Sequence, residues 1–81
     1  MKKEPDYTLR VIDAREMVHP EPFERVVEAL TTLGLNERVK LVLNREPLPL
    51  YRFLEGNDYE YQVSPEAGGV FEIMIWEPAR R

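Results

Sequence analysis

The chain has 81 residues, with 15 acidic and 11 basic side chains, a net charge of −4 and no cysteine. Its length predicts one domain, which buries only roughly 60% of its unfolded surface and so needs nearly all its apolar residues in one core. The acidic balance excludes nucleic acid and anionic membrane as main partners, because both are held by cationic surfaces. The missing thiol excludes disulfides, thiolate metal sites and cysteine nucleophiles. The start, Met1-Lys2-Lys3-Glu4-Pro5-Asp6, lacks the apolar run of a signal peptide. No apolar run approaches the ~20 residues of a membrane span, so a cytoplasmic location is expected.

In chain order, Thr8 to Ile12 predicts a strand, with Leu9 and Val11 alternating against Thr8 and Arg10. Asp13 to Pro20 reads as a loop. His19 and Glu21 both precede prolines, which disfavours helical backbone and predicts an extended path through them. Pro22 suits a first helical residue. Phe23, Val26, Val27 and Leu30 then share one helix face, predicting a helix over 22–33 that Gly34 ends in the left-handed region. Glu24 lies in the first turn, where the helix dipole favours a carboxylate.

Arg38 to Leu43 predicts a second strand with Val39, Leu41 and Leu43 on one face. Asn44-Arg45-Glu46-Pro47-Leu48-Pro49 reads as a second loop. A short helix carrying Leu50, Phe53 and Leu54 stops at Gly56. Tyr59, Tyr61 and Val63 alternate as a third strand. Ser64 to Gly69 forms a hairpin loop, and Val70 to Trp76 a fourth strand rich in β-branched and aromatic residues. The ends, about 1–6 and 78–81, are expected to fray. The fold class is α+β: a two-layer α/β sandwich in the order β-α-β-α-β-β. A mixed four-stranded sheet carries both helices on one face. The first two strands run parallel and the last two form an antiparallel hairpin.

The segment from Ile12-Asp13-Ala14-Arg15 through His19-Pro20-Glu21-Pro22 resembles the opening of the TusA/SirA-like small proteins. The resemblance covers nearly the whole chain and implies the same element order. Those proteins carry Cys-Pro-x-Pro at the start of the first helix, and the cysteine receives and passes on sulfur as a persulfide. Here His19 stands in its place with both prolines kept. His-Pro-x-Pro together with Asn-Arg-Glu-Pro-x-Pro-Leu is similar to a sister branch of bacterial domains of unknown function. Members of that branch occur alone or near hemerythrin-like domains, which implies a redox or metal setting. Sulfur transfer is not expected here, since the nucleophile is a thiolate.

Parallel strands place both loops at one carboxyl edge of the sheet, where α/β proteins gather ligands. Asp13, Arg15, His19 and Glu21 are therefore expected to approach Asn44, Arg45 and Glu46, and these residues form the candidate binding site. His19 reads as a helix cap, a partner contact, or a ligand to a transition metal or haem. One chain offers a metal only His19 and carboxylates, with Met17 as a soft extra, so a metal site would need a homodimer or a partner. Asp13, Glu16 and Glu21 read as solvated loop charges, because no nucleophile or oxyanion device accompanies them. Arg15 and Arg45 read either as anion holders or as ion pairs with Glu16 and Glu46. Tyr51, Tyr59, Tyr61 and Trp76 read as packing between strands. The expectation is a non-enzymatic module without a cofactor that presents the first helix's edge to another protein. A metal- or haem-binding, redox-associated protein using His19 is the alternative.

Overall fold

A computed structural model describes residues 7–78; of the ends expected to fray, about 1–6 and 78–81, all but Pro78 lie outside these residues. The elements are β1 (Thr8–Asp13), α1 (Glu21–Thr31), β2 (Glu37–Leu43), α2 (Leu48–Gly56), β3 (Glu60–Pro65) and β4 (Phe71–Trp76). A 3₁₀ turn, Ala67–Gly69, joins the last two strands. The sheet order is β1-β2-β4-β3. β1 runs parallel to β2, and β4 is antiparallel to both its neighbours. The chain thus has the expected β-α-β-α-β-β order and mixed sheet.

Strand alternation builds the core. Val39, Leu41 and Leu43 of β2 and Ile73 and Ile75 of β4 are buried on one face. Val26 and Leu30 of α1 and Leu50 and Leu54 of α2 close over them. Each such side chain contributes about 1.5–3 kcal/mol by leaving water. Phe23 of α1 meets Phe53 of α2 edge-on at 5.5 Å between ring centroids, tying the helices together.

Leu9 and Val11 alternate as expected but face away from the core, at 38% and 59% exposure. Ile12 packs on the core cluster instead. Arg10, on that same side of β1, bonds the Thr32 carbonyl at 3.0 Å and the Glu37 carboxylate at 2.8 Å. Period-two patterning locates a strand without saying which set of side chains turns inward.

The loops differ from expectation in three ways. α1 begins at Glu21, so only His19 of the two pre-proline residues stays outside the helix. The Glu21 N–H donates to the Val18 carbonyl at 2.9 Å, and that turn overrides the pre-proline preference. α1 ends at Thr31, with Thr32 as its cap. Gly34 is not left-handed; its N–H donates to Glu37 Oε1 at 2.8 Å, so a carboxylate from β2 organises the exit. Val27 also departs from the predicted face, because Ala29 and Leu33 pack on the core in its stead. α2 begins at Leu48 with Pro49 inside its first turn, so the second loop is shorter than expected. In the β3–β4 connection, Gly68 and Gly69 take φ of 77° and 78°, a conformation that needs glycine.

Candidate functional site

β1 and β2 end side by side, with Asp13 opposite Val42. The Ala14 N–H donates to the Val42 carbonyl at 2.7 Å, carrying the chain past the sheet edge before it turns. The Met17 N–H then closes a turn on the Ala14 carbonyl at 3.1 Å. Across the gap, the Asn44 side-chain amide donates to the Arg15 carbonyl at 2.9 Å and locks the two loops together. Both helices start at this edge. The Leu48 N–H is taken by the Glu46 carbonyl and the Leu50 N–H by the Pro47 carbonyl. Prolines in the first turns remove donors that such helix starts would otherwise leave unpaired.

Between the loops lies a cavity of about 530 Å³. Arg15, His19, Asn44, Arg45 and Glu46 all line it. Its apolar wall comes from Met17, Phe23, Leu41, Leu43 and Leu50. The expected meeting of the two loops therefore occurs for five of the seven candidate residues.

Asp13 and Glu21 do not line the cavity, and each is engaged elsewhere. Asp13 accepts from Arg15 Nε at 2.9 Å and from Arg15 Nη2 at 2.7 Å, a forked pair. The Arg15 guanidinium, aided by the Arg15 backbone N–H, lowers the Asp13 pKa to about 2. The same pair raises that of Arg15. Glu21 reaches Arg25 one helical turn on, at 3.5 Å. Arg15 thus pairs with Asp13 rather than Glu16. Glu46 accepts from the Tyr51 hydroxyl at 3.1 Å rather than pairing with Arg45. Burial, and then Glu46, push the Tyr51 hydroxyl well above its ordinary pKa. Arg45 and His19 make no hydrogen bond or ion pair among the described residues.

Of the aromatic residues expected to pack between strands, Tyr51 lies on α2 instead. Tyr51 stacks on Tyr61 with centroids 4.9 Å apart, joining α2 to β3. Trp76 lies against Arg38, whose guanidinium sits 4.3 Å from the Trp76 ring and 4.3 Å from that of Tyr7. As for a metal, no group of three or more His, Asp or Glu side chains converges among the described residues. His19 could supply one bond from an otherwise carboxylate-poor wall, which does not fit a closed site built by one chain.

The apolar wall was not visible as a site in the sequence. Leu41, Leu43 and Leu50 read there as core, and they are core. Ala14, buried at 3% exposure, is the available signal: a small residue just past β1 leaves room where a larger side chain would fill the gap.

Residues 11–77 match the model of a family described as uncharacterized conserved protein, DUF2249. The chain belongs to that family. No curated protein matches it. The crystal structure of a SirA-like protein from Desulfitobacterium hafniense superposes with a TM-score of 0.73 at 28% identity. That alignment covers 84% of this chain and 95% of the other. The DUF2249 chain is thus a TusA/SirA-like small domain. No helix among its described residues is long and apolar enough to cross a membrane.

Proposed function

We propose that this DUF2249 domain is a non-catalytic, cytoplasmic docking module that receives a segment of another protein at the α1 edge and does not carry persulfide. The supporting observation is the cavity itself. It has room for one or two side chains, an apolar wall, and polar groups confined to a few loop positions, the usual make-up of a recognition site. Among the described residues no serine, threonine, cysteine, lysine or tyrosine lines it, so covalent catalysis has no hydroxyl, thiol or amine nucleophile from them there. His19 occupies the place of the persulfide cysteine in the Cys-Pro-x-Pro pattern, at the mouth of the helix, and serves as a contact.

Cross-linking with the cavity plugged tests this reading. A photo-reactive group at position 48, exposed beside the cavity, is expected to capture one defined protein in cells. Met17→Trp, which fills the cavity, is expected to abolish that capture, whereas Glu28→Lys on the exposed outer side of α1 leaves it intact. Capture that survives the plug, in a protein with unchanged circular dichroism, refutes the docking role of the cavity.

A further inference from the structure

The chemistry of the occupant follows from what the cavity wall leaves unused. Arg15 is neutralised by Asp13 through two short hydrogen bonds. The one lining carboxylate among the described residues, Glu46, is held by the Tyr51 hydroxyl. Arg45 alone of the lining cations has neither carboxylate nor hydrogen-bond partner among the described residues. It follows Leu43 and Asn44 out of β2 and stands next to an apolar wall. A ligand that complements such a wall has an apolar body and an anionic acceptor at one end.

We propose that the cavity takes the C-terminal residue of a partner chain, with its apolar side chain on Met17, Phe23 and Leu50 and its α-carboxylate on Arg45. This rests on the docking reading above. A guanidinium meets a carboxylate through two parallel donors, which suits a planar, chain-terminal group. The α-carboxylate shares a Cα with its own side chain, so one residue satisfies both halves of the wall within about 530 Å³. An internal aspartate or glutamate would bring flanking chain on both sides into the same space. Capture of a terminal carboxylate is an established mode of peptide recognition.

The probe is an acetylated Gly-Ser-Leu-Phe peptide titrated into the ¹⁵N-labelled full chain and followed by amide shifts. The free acid is expected to move the signals of residues 14–19 and 43–50. The C-terminal amide of the same peptide, and the Arg45→Gln variant with the free acid, are each expected to bind at least about tenfold more weakly, the loss of one charge-assisted bond. Equal affinity for acid and amide, or an unchanged affinity in Arg45→Gln, overturns the carboxylate assignment while leaving a docked partner intact. No shifts with the free acid at millimolar concentration overturn it outright. 3-Phenylpropionate binding as tightly as the peptide overturns the partner chain as the source and makes a free small acid the ligand. Failure of capture in the cross-linking experiment overturns the docking reading whatever the peptides do, so the two failures are separable.

Discussion

Leu50 and Leu54 lie one turn apart on α2 and are 2% and 0% exposed, yet only Leu50 borders the cavity. The same Leu→Ala substitution should therefore cost different amounts at the two positions. Each removes three carbons from the core, a transfer loss of about 2.4 kcal/mol at about 0.8 kcal/mol per carbon. At Leu54 the deletion leaves a closed void and adds a cavity penalty, so the total should lie near the upper part of the ~2–5 kcal/mol range. At Leu50 the deletion only widens an existing cavity that admits water, so the cost should stay near the transfer value. The expected gap is about 1–2 kcal/mol. A domain of this length holds about 4–12 kcal/mol in total, so Leu54→Ala approaches the limit of foldedness while Leu50→Ala does not. Urea unfolding followed by circular dichroism, with midpoints compared at equal slope, reads the difference. Equal losses, or a larger loss at Leu50, would show that the cavity is closed by repacking and would remove the basis for any ligand there.

Three other outcomes are expected. Arg15 holds the Asp13 pKa near 2, below the ordinary 3.8, so this pair contributes stability at pH above about 4 and loses it as the pH falls through that range. In Asp13→Asn this component of the acid dependence should vanish, which a comparison of unfolding midpoints between pH 5 and pH 2 measures. Arg38→Gln should cost about 0.5–1 kcal/mol for each of the two rings the guanidinium covers, and should red-shift the emission of Trp76, the chain's single tryptophan, as that ring gains water. Zinc, copper and ferrous iron should bind the monomer no more tightly than they bind His19→Ala, because no three-ligand group of His, Asp or Glu faces them among the described residues; calorimetry showing a His19-dependent micromolar site would overturn this.

Much of the fold was legible because its signals are local. The Val39, Leu41 and Leu43 alternation, the Phe23, Val26 and Leu30 spacing and the paired glycines at 68 and 69 each state a backbone geometry directly. What was not legible depends on distant partners. Leu9 and Val11 look like core residues in sequence, and only the course of β1 beside β2 sends them outward. The end of α1 could not be read from Gly34, because the helix closes earlier, at Thr32, and Gly34 is held instead by Glu37 on the next strand. Likewise the sequence grouped Asp13 with Arg45 on one edge but could not tell which carboxylate each arginine would choose. Arg15 takes the close, forked geometry of Asp13 and Glu46 takes the Tyr51 hydroxyl, which leaves Arg45 without a partner among the described residues.

On the docking reading proposed above, that pairing also accounts for a recognition surface at an edge where His19 stands in the cysteine's place in the resemblance to Cys-Pro-x-Pro. In a persulfide carrier, the Cys-Pro-x-Pro turn must expose one reactive sulfur at the start of a helix. The prolines of that turn shape the backbone whatever side chain precedes them. In this chain they set the start of α1 beside the start of α2, and a second pair, Pro47 and Pro49, does the same for α2. Between two rigid helix starts and the small Ala14, a cavity forms that needs no sulfur to exist. Its polarity is then decided by pairing between the loops and the elements beside them: the Asp13–Arg15 and Glu46–Tyr51 contacts consume their groups and leave Arg45, among the described residues, as a cation beside an apolar wall. On the docking reading proposed above, such a surface discriminates by shape and charge rather than by reactivity.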